Sequence, residues 1–395
     1  MINKAIKFKF IIFYFFSYII FAFASTKFTP FLSKLGYSAF ERGIILSSYA
    51  ITNILFQLLF GVLADKYQTM KKIVLISLSV YGIASVIMFS TYGIASVIMF
   101  STESATFIIY LLLVALSGGL LNTCCSLYDT WIIGCGDNIN NYLSFIKTFG
   151  SIGWAIGSMV ASYLILRFSY FGLSVAIGLI VVLLIINILL LPDIEKINKK
   201  INVTNKDIIE LLKDKKYILL VCILFLLYSM VVANNCTVID KMIALNATNS
   251  QISLKWSLQS LLEIPTYLAG SYLLKKYSSL NLLKLSAIMI TVQFLLFALT
   301  NDSNIIIILC VFQVFSTPLI LITSKRLIFE VSPKKLRSSS QLIALSIFMG
   351  GSSLIIPTVA GFLSINIGYN YTLMVLSLFG CLAYCLIVLL NYLQE

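Results

Sequence analysis

Histidine is absent from this 395-residue sequence, and only 15 residues are acidic. Without imidazole, the commonest metal ligand and the side chain best suited to proton transfer near neutral pH are both missing. Eight cysteines lie mostly inside apolar runs and none forms a Cys-x-x-Cys pair, so they read as packing residues and no metal site is expected. No phosphate loop and no nucleophile–base pair stands out, so neither an enzyme nor a cofactor is expected. Charge of either sign is scarce, at 11% of residues, while 60% are hydrophobic, against about half in soluble domains.

That apolar content is arranged as runs of eighteen or more residues along the whole chain, the pattern of a polytopic membrane protein. Lipid admits only helices or closed barrels, and the runs do not alternate, so an all-α membrane protein is expected. The start, with Lys4, Lys7 and Lys9, mimics a signal peptide. Its apolar run continues to Pro30 without a clear cleavage site, so it reads as the first span.

Twelve spans are expected, near 9–31, 43–63, 73–102, 105–128, 143–166 and 170–191, then 217–239, 250–273, 281–299, 304–324, 339–364 and 370–391. This gives an N-terminal six-helix bundle (1–191), a charged cytoplasmic linker (192–216) and a C-terminal six-helix bundle (217–395), the parallel-repeat plan of one transporter class. The net charge of +13 sits between the apolar runs, which points to topology rather than nucleic acid. With both termini cytoplasmic, 21 Lys and Arg lie inside and 6 outside. Among the six, Lys27, Lys241 and Lys255 read as charges at the outer mouth. Tyr81–Thr91 is repeated without change as Tyr92–Thr102, and one copy already completes a span from Ile73 to Thr91.

Residues 128–158 hold the densest chemistry. A short polar link, Gly136–Asn141, joins spans four and five, with Asp129 before it and Lys147 after it. A tight hairpin brings both to the same depth, about 9 Å inside their helices. Paired charges there read as a ligand site or pathway, the alternative being a structural ion pair near the membrane surface. Ser151 and Trp154 continue the Lys147 stripe, while Gly150, Gly153 and Gly157 make a smooth face for close packing. In span eight, Glu263 lies near mid-membrane with Trp256, Gln259 and Ser260 on its face and Pro265 two residues on. A carboxylate at that depth reads as a proton site or as a structural group bonded to another helix.

The loop after span two reads G-V-L-A-D-K-Y-Q-T-M-K-K, Gly61 to Lys72. It resembles the signature loop of the major facilitator superfamily, with Gln68, Thr69 and Met70 departing from the pattern and the basic pair displaced to Lys71 and Lys72. The resemblance implies that Gly61, Asp65, Lys66, Lys71 and Lys72 belong to a cytoplasmic gating loop. Phe56–Asp65, Gly43–Ile45 and the F-G-S-I-G-W-A-I-G of span five are similar to the lactose and oligosaccharide permease branch, with related nucleoside and aromatic-acid permeases. In that branch an acid and an arginine hold sugar hydroxyls while a tryptophan stacks on the ring. By position these become Asp129, Lys147 and Trp154. Lys147 lacks the two-pronged fork of arginine. The branch's titratable residues on later helices are replaced by Gln293, Cys310 and Gln313, which leaves Glu263 as the expected proton-coupling residue.

The expected function is secondary transport of a small polyhydroxylated solute (a sugar, glycoside or nucleoside) by proton symport and alternating access. Asp129, Lys147, Ser151, Trp154, Trp256 and Gln259 are the expected binding residues. An exporter of amphipathic molecules, an uncoupled facilitator, and a non-transporting sensor or structural protein remain the alternatives. The expected partners are the solute, protons and the lipid bilayer of the cell membrane, with no nucleic acid, and the expected state is a monomer.

Overall fold

In lipid, the backbone of an apolar run can satisfy its N–H and C=O groups only internally, and this chain does so as helix. A computed structural model describes residues 2–67, 69–91, 103–135, 142–194, 211, 213–333 and 337–393, with no strand among them. In chain order the helices are α1 (Ile2–Lys34), α2 (Ala39–Tyr67), α3 (Lys71–Ser90), α4 (Glu103–Gly134) and α5 (Leu143–Leu189). Then come α6 (Lys215–Asn235), α7 (Thr237–Ala244), α8 (Asn249–Lys276), α9 (Ser279–Leu299), α10 (Ser303–Ile308), α11 (Thr317–Val331), α12 (Arg337–Leu345) and α13 (Gly351–Tyr392). A 3₁₀ turn, Leu309–Phe315, links α10 to α11, and a π turn, Ser346–Gly350, links α12 to α13.

Nine stretches among the described residues are long and apolar enough to cross a membrane. Two of these are broken in the middle, α5 at Ser169 (φ 60°) and α13 at Gly368 (φ 80°). Helix α8 falls outside the nine because Lys255, Glu263 and neighbouring polar residues dilute it. Large apolar side chains such as Leu58, Leu166, Phe171, Leu183, Phe362 and Leu378 stay exposed along the helices. Helix α3 ends at Ser90, inside the first copy of the duplicated segment and short of the expected 102. The second copy, Tyr92–Thr102, lies outside the described residues, as do Gly136–Asn141 and Gln68.

The chain forms two compact units. The first comprises Met1–Asn198 with Thr248–Leu261; the second comprises Lys199–Ala247 with Leu262–Glu395. Helix α8 therefore gives its first half to one unit and the remainder to the other. In the first unit the small residues of α5 let α1 approach closely: a Cβ on Gly153 would collide with the Phe15 carbonyl, and one on Gly157 with that of Ile19. Serines do the same on the next face, where Ser257 Oγ donates to the Ala155 carbonyl at 2.6 Å and Ser260 Oγ to that of Ser151 at 2.9 Å. Phe10, Phe13, Tyr128 and Trp131 fill the space between α1 and α4 with edge-to-face rings, such as Phe13–Tyr128 at 4.5 Å.

The same turn occurs twice. After α1, Gly36 (φ 91°) ends the helix, and Ser38 and Glu41 exchange bonds, Ser38 N–H to Glu41 at 2.7 Å and Glu41 N–H to the Ser38 hydroxyl at 3.3 Å. After α7, Asn246 (φ 59°) does the first job, and Thr248 and Gln251 exchange bonds at 2.9 and 3.2 Å. Both are helix stops in the left-handed conformation followed by a capping box.

Candidate functional site

Helices α4 and α5 carry the charges at 129 and 147 to one place. Lys147 Nζ lies 2.6 Å from Asp129 Oδ2, and the two side chains keep 39% and 26% of their surface accessible. The second carboxylate oxygen, Oδ1, accepts from the Tyr14 hydroxyl at 2.9 Å. Tyr14 stacks on Tyr18 at 5.8 Å, Tyr18 meets Trp154 edge-on at 6.5 Å, and Trp154 meets Trp256 at 6.2 Å. A half-accessible ion pair thus opens a ladder of four rings drawn from α1, α5 and α8. The ion pair can exchange its water contacts for hydroxyl groups, and the rings can cover the apolar face of a sugar or a base.

Of the residues expected to bind, Asp129, Lys147, Trp154 and Trp256 join this array. Ser151 contributes its carbonyl to Ser260. Gln259 is buried and engaged. The sequence reading missed Tyr14 and Tyr18; the signal was their i, i+4 spacing inside an aromatic run where every position looks alike. It also placed Lys27, Lys241 and Lys255 at the mouth, whereas the structure buries all three, Lys27 and Lys255 at 0% exposure. Lys27 Nζ donates to the Ser253 hydroxyl at 2.6 Å, and Lys241 Nζ to the Phe297 carbonyl at 2.5 Å. Lys255 Nζ lies 4.5 Å from the centre of the Trp256 ring.

Glu263 belongs to the second unit. Its carboxylate accepts from Gln313 Nε2 at 2.8 Å and from the Tyr267 hydroxyl. Gln313 sits in the 3₁₀ turn, also donates to Thr317 Oγ1 at 2.6 Å, and accepts from the Ser316 hydroxyl at 3.3 Å. Thr266 and Gln293 bond carbonyls of the same segment, Val314 at 2.5 Å and Leu309 at 3.1 Å. A carboxylate therefore rests on an irregular stretch of helix, a combination that recurs at functional hinges.

Of the expected gating loop, Gly61, Asp65 and Lys66 lie in α2, and the side chains of Asp65 and Lys66 are outside what the structure describes. The loop's second half is bound to the chain that leaves α5. Asp193 accepts from the Thr69 hydroxyl and from the N–H groups of Met70 and Lys71, at 2.9 and 3.1 Å, closing the start of α3. Lys71 Nζ donates to the carbonyls of Leu189 and Leu191 at 2.7 and 2.9 Å, Trp131 Nε1 donates to that of Pro192 at 3.0 Å, and Lys72 is exposed. Burial pushes the Asp193 carboxyl up, but the Thr69 hydroxyl and the N–H groups of Lys71, Ile194 and Met70 outweigh it and hold the group below the ordinary carboxylate value.

Among protein families, the model described as the MFS_1 like family matches residues 7–376. No curated protein matches the chain. Among solved structures it is similar to the nucleoside transporter NupG, in a substituted form with TM-score 0.82 and 15% identity over 98% of this chain and 99% of that one. NupG without the substitution gives 0.76 and 15% over the same shares. A bacterial homolog of the human lysosomal transporter Spinster, inward-facing and unoccupied, gives 0.76 and 9% over 99% and 97%. At these identities the likeness is one of fold.

Proposed function

Because the chain belongs to the MFS_1 like family and has a transporter fold, we propose that it takes up a small polyhydroxylated solute by alternating access, coupled to protons. The observation that carries the solute class is the half-accessible Asp129–Lys147 pair beside the ladder Tyr14–Tyr18–Trp154–Trp256. Asp129 accepts hydrogen bonds from solute hydroxyls, Lys147 donates them, and Trp154 covers the ring. Glu263 exchanges the proton, with Gln313 and Tyr267 as its alternative partners when the solute leaves. In this proposal the breaks at Ser169 and Gly368, together with α8, bring the spans to twelve. Bundles 1–191 and 217–395 rock about the 192–216 linker, both termini are cytoplasmic, and the 61–72 loop gates that side.

Uptake of labelled glycosides and nucleosides into proteoliposomes tests this, with and without an inward proton gradient. The gradient is expected to drive accumulation in the wild type, and Glu263→Gln is expected to abolish accumulation while exchange survives. Equilibration indifferent to both gradient and substitution would refute the coupling. The neutral Gln293, Cys310 and Gln313 of the second half favour one second reading, an uncoupled facilitator, which that outcome would support.

A further inference from the structure

Lys27 sits seven residues from the end of α1, close enough for its stem to carry the ammonium outward. It turns inward instead and is 0% exposed. Its hydrogen bond goes to a neutral group, the Ser253 hydroxyl at 2.6 Å, and it makes no ion pair among the described residues. The acid at the first unit's binding array, Asp129, is already matched by Lys147. A buried ammonium answered only by a dipole is expensive, and within a membrane such a charge is a functional group by default. One turn along α8 from Ser253, on the same face, stands Trp256, 5% exposed, whose indole N–H has no acceptor among the described residues. A second ammonium, that of Lys255, lies over the Trp256 ring. The acceptor of the Lys27 bond and the indole N–H thus stand one turn apart on one face of α8, with the Lys255 ammonium beside the indole.

We propose that Lys27, Ser253 and Trp256 form an anion subsite, so that the solute carries a carboxylate or phosphate besides its hydroxyls. This deepens the transport reading above and rests on it. A neutral hydroxyl could accept from the indole N–H but would leave the Lys27 charge unanswered. A carboxylate or phosphate accepts from both donors and supplies the missing charge. Its ring then lies toward Trp154, whose ring centre is 6.2 Å from that of Trp256.

The test is calorimetric titration of the purified full chain in nanodiscs with paired probes, glucuronate against glucose and uridine monophosphate against uridine, plus inorganic phosphate. At least one charged probe is expected to bind about tenfold tighter than its neutral partner, the worth of one charge-assisted hydrogen bond. Lys27→Gln is expected to bring that pair to parity, and Trp256→Phe, which removes the indole N–H, to weaken the charged member more than its neutral partner. A preference for glucuronate assigns a carboxylate; a preference for the monophosphate, with binding of inorganic phosphate, assigns a phosphate. Neutral probes binding as tightly as charged ones, a charge preference that survives Lys27→Gln, or no charged probe binding at all would each overturn the subsite. Should Lys27→Gln fail to fold, the wild-type pairs and Trp256→Phe decide. Neutral solutes moving in proteoliposomes without a charge preference would sink the subsite alone. Charged probes binding through Lys27 while no solute moves would sink transport alone.

Discussion

At Asp129 one carboxylate serves two donors, Lys147 at 2.6 Å and Tyr14 at 2.9 Å. Removing the phenol hydroxyl by Tyr14→Phe leaves the ring stacked on Tyr18 and takes away one hydrogen bond. Solute affinity is expected to fall about two- to tenfold, the range of one such bond, as read from a binding titration. Lys147→Met strands the carboxylate and is expected to cost more than Tyr14→Phe, whereas Lys147→Arg keeps the pair and most of the uptake. Asp193 makes a pH-dependent contribution. Its carboxyl is held below the ordinary value, so the stability it adds is complete above that ordinary value and is lost as pH falls through the lower, folded one. The thermal midpoint of wild type should therefore exceed that of Asp193→Asn at pH 7, with the gap closing only under strongly acid conditions. A gap that persists unchanged to the lowest pH would show that the carboxylate charge is not what holds the loop.

At the scale of elements, the interruptions carry the most information. Ser169 adopts φ 60° and ψ −171°, a conformation that glycine reaches freely and serine does not. Ser169→Gly is expected to stabilise by about 1 kcal/mol, seen as a higher unfolding temperature. Gly368 holds φ 80° with open space around its missing Cβ, so Gly368→Ala should destabilise through the backbone alone. Both breaks were legible, because apolar runs of that length cannot continue across one bilayer. The 3₁₀ turn at Leu309–Phe315 was not legible. Its residues would suit an α-helix, and what tightens the segment is contact from afar, through Glu263, Thr266 and Gln293. The burial of Lys27 was hidden for a similar reason: composition shows a lysine near a helix end, and only packing decides which way its stem turns.

For the whole molecule, composition and charge placement were enough to read the multi-pass helical fold, because lipid leaves few alternatives. The motif at 61–72 and the chemistry at 129, 147 and 154 were enough to read the family. The array was only half legible, since the ladder runs from α1 through α5 to α8, residues far apart in sequence. The duplicated segment gives a prediction at this scale. Helix α3 runs from Lys71 to Ser90, 20 residues and about 30 Å of rise, enough to cross a bilayer. Deleting 92–102 is expected to leave expression and uptake unchanged, and loss of either would show that the second copy supports the fold.

The turn that appears after α1 and again after α7 is written in seven contiguous residues, 36–42 in one place and 246–252 in the other. It asks nothing of the distant chain, because the helix stop, the cap and the return bond are all local. Such a turn is a portable part. The side chains of the two copies differ, Gly36, Ser38 and Glu41 in one and Asn246, Thr248 and Gln251 in the other, while the joint keeps its pattern.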